Sequence, residues 1–261
     1  MDKFKGSVIH SHDYRIPEPF TGLNVLVLGA GPSGSDIGIE VSQVAKQVVL
    51  CHKHPEPFTN IPKNIVQELS EIKEMSETEV EFTNANKYSI NAIIFATGYQ
   101  FDFSFMDSSC GINVNKNQRV EGIYLHLINQ RYPSMAIFGI PLKVVPFPLF
   151  QTQVLFFIKC MTGDIRLPSE EEMKRQTQED LNLRASMGLS ERHSHKMVAN
   201  LLFDYWTKLA EMGDIESFTP VFKQLYLDLE AIRKQNLTQY KKLNFKIISN
   251  QKYIVCNKYV H

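Results

Sequence analysis

Apolar positions along the chain gather first into short unbroken runs and later into helical stripes. Asn24-Val-Leu-Val-Leu28 is such a run, rich in branched residues, and it stops at once in Gly29-Ala-Gly-Pro-Ser-Gly34. A run of that length closed by glycine predicts a strand buried on both faces, as parallel strands are. Residues 35–46 then place Ile37, Val41, Val44 and Ala45 roughly on one side, which predicts a helix. Gln47-Val-Val-Leu-Cys51 predicts a second buried strand. Strand, glycine turn, helix and strand in succession make a βαβ unit, whose crossover is almost always right-handed.

Further on, Pro55, Pro57 and Pro62 predict a loop over 55–64. Residues 68–82 are charged, with weak alternation near 78–83, and predict edge hairpins. Residues 90–95 return as a buried strand, and 135–140 predict another between Pro133 and Pro141. Pro146-Phe-Pro148 introduces an apolar helix over 149–161. Ser169 followed by Glu172 forms a capping box for the next helix. Another helix is expected over 192–212, with Leu201, Leu202, Tyr205 and Leu209 on one stripe. Thr219-Pro220 opens a last one, because proline in a first turn lacks only an N–H that the helix does not use. There is no internal repeat and no low-complexity tract.

Composition narrows the function more than the fold. The 261 residues suffice for one large or two modest domains, and 43% hydrophobic with 21% charged residues is the balance of a folded chain. Lys plus Arg and Asp plus Glu number 28 each, so no global field points to nucleic acid or an anionic membrane. Affinity for a phosphate must come from a local site. Cys51, Cys110, Cys160 and Cys256 lie far apart without a CxxC pair, which supports neither a zinc site nor a redox dithiol. Four buried thiols in a reducing, cytoplasmic setting are expected. The sequon Asn236-Leu-Thr238 reads as chance in that setting. Residues 1–6 lead into polar sequence rather than the apolar run of a signal peptide. The apolar stretches fall far short of the ~20 residues of a spanning helix. Residues 252–261 are too few and too charged to anchor.

The local phosphate site is the glycine turn. Gly29, Ala30, Gly31, Pro32, Ser33 and Gly34 fit GxGxxG, placed between a predicted strand and a predicted helix, which is the context that gives the motif weight. Gly29 permits the turn, Gly31 lets backbone approach a pyrophosphate, and Gly34 lets helix and strand pack closely. The helix N-terminus offers unpaired N–H groups and a positive dipole end. The end of the second strand chooses the coenzyme: an acid there bonds the ribose 2′-hydroxyl, a base accepts the 2′-phosphate. Cys51-His52-Lys53-His54 has no acid before Glu56, so NADPH is expected, with His52 and Lys53 as 2′-phosphate partners. A structural turn without ligand and a solvated basic tip are the plainer readings of the same residues.

Phe4-Lys-Gly6-Ser-Val-Ile-His10-Ser-His-Asp-Tyr14 matches FxGxxxHxxxY just ahead of the glycine turn. Phe95-Ala-Thr97-Gly98-Tyr99 resembles an ATGY box, where glycine after a strand lets backbone approach a cofactor. Together these segments resemble the flavin-containing monooxygenases of the dimethylaniline N-oxide-forming type. The likeness runs through Leu167-Pro-Ser169 and fades in the C-terminal helices. It implies that NADPH reduces FAD, that reduced flavin activates O2, and that one oxygen atom passes to an amine nitrogen or sulfide sulfur of a small molecule. It also implies a part in xenobiotic metabolism through N-oxygenation, and peripheral association with the endoplasmic reticulum. The absence of a triad or metal cluster agrees with chemistry carried by cofactors.

The chain departs from the family in having a single GxGxxG, so the unit that anchors FAD has no counterpart and no catalytic residue can be assigned. A fragment or a shortened member is expected, with apolar strand edges exposed. The expected fold class is α/β: a Rossmann-type NADPH-binding domain plus the C-terminal remainder of an FAD-binding Rossmann-like domain with added helices. Residues 1–22 would be an interdomain connection, 23–92 the NADPH domain and 93–261 the flavin-domain remainder. A noncatalytic NADP(H)-binding remnant and a flavin-free NAD(P)-dependent dehydrogenase are the alternatives. The last leaves the Phe4–Tyr14 match unexplained. The sequence admits a homo-oligomer and names no substrate.

Overall fold

A computed structural model describes residues 3–53, 56–198 and 200–256. His54 of the basic tip, Pro55 of the expected loop, Ala199 of the helix expected over 192–212 and residues 257–261 of the C-terminal stretch lie outside them. The chain divides into two compact units, Met1–Tyr99 with Gln224–His261, and Gln100–Lys223.

In the first unit the apolar runs become a parallel sheet. Its strands are β1 (Ser7–His10), β2 (Asn24–Leu28), β3 (Gln47–Cys51), β4 (Ile65–Glu68) and β8 (Ala92–Phe95), in the order β1-β8-β2-β3-β4. Val25, Leu26, Val27, Val48, Val49, Ile93 and Ile94 have no exposed surface at all, as expected for strands covered on both faces. One face packs against Ile37 and Val41 of helix α1 (Pro32–Val41). The other packs against Val80 and Phe82 of a three-stranded antiparallel sheet, β5 (Ile72–Met75), β6 (Glu79–Phe82) and β7 (Lys87–Ser89). Each such buried aliphatic side chain contributes roughly 1.5–3 kcal/mol. The α/β class with a parallel sheet is the one the sequence predicts.

Several boundaries differ from expectation. α1 starts at Pro32 and ends at Val41, not over 35–46. After Val41 the amides of Gln43 and Val44 bond three residues back, and the chain turns so that Lys46 N–H reaches Leu23 O. β4 falls between the expected loop and the charged stretch, where no strand is expected, yet it pairs parallel with β3, and Ile65 and Glu68 are buried. The edge hairpins exist, but as the separate β5-β6-β7 sheet. Residues 1–22 do more than connect, since β1 pairs with β8 from Ser7↔Ala92 to His10↔Phe95.

The second unit holds helices α2 (Pro146–Thr162), α3 (Glu170–Ser186) and α4 (Leu201–Gly213) with short hairpins β9 (Asn113–Val114)/β10 (Val120–Glu121) and β11 (Ile123–Tyr124)/β12 (Ile128–Asn129). Leu149 and Phe156 of α2 are fully buried, and Trp206 Nε1 of α4 donates to Thr152 Oγ1 at 2.8 Å. Residues 135–140 are not a strand: Ala136 makes one isolated bridge to Ile128, and Gly139 turns the chain at φ +85°. The helix expected over 192–212 begins only at Leu201, because 191–193 form a 3-10 turn and Lys196 bridges to Leu142 instead. Ser169 caps α3 by accepting from Glu172 N–H at 3.3 Å. The Glu172 carboxylate accepts from Arg175 and Gln176, so only half of the box forms.

Helix α5 (Pro220–Gln235) starts at the expected proline and crosses the boundary between the units. β13 (Asn244–Ser249) and β14 (Lys252–Cys256) follow as an antiparallel pair in the first unit. The four cysteines are half-buried rather than buried, because each sits at or near the end of its element. Burial pushes the Cys51 and Cys160 thiols up to about 11. Among the described residues no helix is long and apolar enough to cross a membrane.

Candidate functional site

Read from β4, the sheet runs β4-β3-β2-β8, so the chain moves outward from β2 in one direction and returns on its other side. In open parallel sheets the ligand crevice lies beyond the strand C-termini where that reversal occurs, here between β2 and β8. Both sequence motifs stand at that spot. Ala96 N–H bonds Leu28 O at 2.8 Å, and Gly29 N–H bonds Cys51 O at 2.8 Å.

The three glycines of the turn have separate duties. Gly29 adopts φ +101°, and a Cβ there would lie 2.4 Å from Ala96 O. A Cβ on Gly34 would lie 1.8 Å from Gly29 O, so only glycine lets α1 approach the strand end. A Cβ on Gly31 would meet nothing within 4 Å, and Gly31, Pro32 and Ser33 are exposed. The bare backbone at Gly31 therefore faces open space, which a pyrophosphate can occupy. Gly31 is the N-cap of α1, Pro32 the first helical residue, and no carboxylate falls in the first turn. The positive end of the helix is thus left without an internal counter-charge. Among the described residues this is the one glycine-rich strand–helix corner of its kind, and no second GxGxxG is present that would fit another pyrophosphate such as that of FAD.

Gly98 of the second motif adopts φ +84° after β8. Tyr99 is exposed and meets the His10 ring edge-on at 5.3 Å. Thr97 stands beside Gly29, its N 3.5 Å from the position of a Cβ there. The FxGxxxHxxxY residues chiefly build the sheet. Phe4 packs on the β5-β6-β7 side, while Gly6 has space for no Cβ against Asn91 O. Tyr14 stacks on Phe20 at 6.2 Å, and burial together with the Glu40 carboxylate pushes its phenol up.

The two candidates for a 2′-phosphate part company. His52 is buried, with Nε2 3.2 Å from Gln67 Oε1 and its ring 5.0 Å from that of Phe58. Lys53 is exposed and pairs with Glu71 at 2.7 Å. Sequence reading looked for an acid within a few residues of the strand end, whereas Glu71 comes back from beyond β4. An exposed pair of this kind holds its partners weakly and yields readily to a phosphate.

A second cluster lies in the other unit, around a cavity of about 440 Å³. Arg184 Nη2 stands 3.1 Å from His126 Nε2, and His126 Nδ1 stands 2.9 Å from His195 Nδ1. Asp180 lies 3.3 Å from His126 and 2.6 Å from Arg184. Burial lowers both histidines, His195 to about 3. Neutral rings let Arg184 donate to His126, His126 to His195, and His195 to Val120 O, one tautomer set among those the geometry permits. Leu125 and His126 both take positive φ at this wall. Sequence reading missed the cluster, because its members carry no motif.

The parallel sheet and its glycine corner define a Rossmann-type dinucleotide-binding α/β protein. The family model described as flavin-binding monooxygenase-like matches residues 1–57 and 56–231, and the chain belongs to that family. It is 30% identical over 244 residues to flavin-containing monooxygenase FMO GS-OX-like 2 of Arabidopsis thaliana, a match covering 91% of this chain and 52% of that protein. A second Arabidopsis thaliana relative, FMO GS-OX-like 3, is 32% identical over 215 residues, covering 80% and 47%. Among solved structures, S-allyl-L-cysteine S-oxygenase from Allium sativum superposes with a TM-score of 0.84 at 28% identity, over 92% of this chain and 55% of that one. Tmm from Pelagibacter sp. strain HTCC7211 shares the fold, with a TM-score of 0.80 at 22% identity over 98% and 57%. The chain spans about half the length of the curated relatives it matches. Membership in a flavin monooxygenase family implies FAD and NADPH as cofactors.

Proposed function

We propose that this chain holds NADPH at the Gly29–Gly34 corner and serves an oxygenase that adds one oxygen atom of O2 to a nucleophilic sulfur in a small molecule. The open face at Gly31, between two glycines whose missing side chains are needed for packing, carries the nucleotide part. The amides of Ser33 and Gly34, in the first turn of α1, would bond the pyrophosphate. Thr97 and Gly98 would flank it from β8, and Lys53 would release Glu71 to take the 2′-phosphate. When bound, NADPH supplies hydride. The residues present do not fit the FAD pyrophosphate, so no step through flavin is derived from them.

Sulfur is preferred over amine nitrogen because the Allium sativum neighbour is named an S-oxygenase. The unit of Met1–Tyr99 with Gln224–His261 would form the NADPH part and Gln100–Lys223 would belong to the flavin-domain remainder, in a cytoplasmic protein. The single glycine corner also favours a second reading, a noncatalytic NADP(H)-binding chain. Flavin retained by the purified protein, seen as its yellow absorbance, supports the oxygenase, and a colourless protein that binds NADPH supports the second reading.

Calorimetry with NADPH and NADH tests the coenzyme. Lys53→Glu is expected to weaken NADPH at least about tenfold while leaving NADH nearly unchanged, the loss of a charge-assisted contact. Equal losses for both would remove Lys53 from the 2′-phosphate site.

A further inference from the structure

The end of the first unit is fastened to the loop before β4 and to helix α1 by residues far apart in sequence. Gln235 O accepts from Thr59 Oγ1 at 3.1 Å and from Asn60 Nδ2 at 2.9 Å. Tyr240 OH donates to Asp36 Oδ1 at 2.8 Å, and Lys241 Nζ lies 2.7 Å from Asp36 Oδ2. Within this contact Arg233, near the end of α5, sends Nη2 to Ser35 Oγ at 3.0 Å. Ser35 in turn donates to Gly31 O at 3.0 Å. One hydroxyl therefore separates the guanidinium from the N-cap of the glycine turn.

Among the described residues no carboxylate pairs with Arg233. The side chain is half-buried, and its Nε is buried with no hydrogen-bond partner. Among the described residues Arg233 makes no ion pair, and Asp36 on the same helix is taken by Tyr240 and Lys241. Stacking over the Tyr240 ring at 5.6 Å holds the guanidinium in place without neutralising it. Withdrawing a cation from water without a counter-charge is costly, and guanidinium is the side-chain group whose fork matches phosphate oxygens. The adjoining helix end is likewise positive and likewise lacks an acid in its first turn. Two uncompensated positive features side by side call for an anion between them.

We infer that Arg233 contacts the pyrophosphate of the dinucleotide, so that the binding corner is completed by a residue 198 positions beyond Ser35. This rests on the NADPH reading of that corner. It adds a distinct expectation: Arg233 acts on what NADPH and NADH share, whereas Lys53 acts on the 2′-phosphate alone.

The test uses the whole 261-residue chain, titrated with NADPH and with NADH, alongside the melting temperature of each coenzyme-free variant. Arg233→Gln is expected to weaken both coenzymes by the same factor, at least about tenfold, while the coenzyme-free melting temperature moves little. Arg233→Met keeps the apolar stem over Tyr240 and is expected to give the same loss, which decides the matter should the glutamine variant misfold. Unchanged affinity in either folded variant, or loss of NADPH alone, overturns the assignment. A drop in melting temperature without a drop in affinity reduces Arg233 to a fastening of α5, and also overturns it. A folded wild type that binds neither coenzyme removes the NADPH reading itself.

Discussion

Gly31 and Gly34 are interchangeable letters in a motif, but the fold asks opposite things of them. At Gly34 an added methyl meets backbone, Gly29 O at 1.8 Å, which cannot swing aside as a side chain would. Gly34→Ala is therefore expected to cost more than about 3 kcal/mol, read as a lowered denaturation midpoint. At Gly31 the same methyl enters open space on an ordinary negative φ, so stability should change by less than about 0.5 kcal/mol. NADPH affinity should nonetheless collapse, because the methyl fills the approach to the backbone. The packing duty of Gly34 was legible in the sequence, since spacing along one strand–helix junction fixes it. Arg233, the Lys53–Glu71 pair and the inward turn of His52 were not, because their partners arrive from other segments and no local pattern announces them.

Elements were readable where burial alone decides their form. β2, β3 and the central part of β8 are covered on both faces, and an unbroken apolar run admits little else there. β4 was hidden because its Ile-Val-Gln-Glu sequence ends in polar residues, of which Glu68 is buried. That carboxylate accepts from Asn84 and Asn86 at 2.9 Å each, and these amides come from the following hairpin. Apolar content misled over 135–140, where prolines at both ends and the positive φ of Gly139 limit pairing to the one bridge between Ala136 and Ile128. Helix starts were more legible than lengths, as α3 and α5 show. Ser169 satisfies an amide that α3 would otherwise leave open, and Ser169→Ala should cost about 1 kcal/mol with no effect on coenzyme affinity. Chemical denaturation of the variant checks both halves of that statement.

On the scale of the whole molecule, each unit carries its own liability. The second unit buries His195 and half-buries His126, and desolvation lowers both. As pH falls below the ordinary histidine value of 6.5, the unfolded chain takes up protons that the folded chain refuses until about 3 for His195. Stability is thus full above about 6.5 and declines through that window, by roughly 2 kcal/mol for one such histidine between about pH 7 and pH 5. His195→Gln should flatten this slope when melting temperatures are compared across that range; an unaltered slope would show that the ring titrates freely. The function proposed for the first unit rests on the meeting of β2, β8 and α1 at one corner. Hydrogen exchange of the folded chain with and without NADPH tests that most directly. Slowed exchange concentrated in residues 29–35 and 96–99, abolished by Gly31→Ala, is the predicted result. No slowing there in a folded protein at saturating NADPH would contradict it.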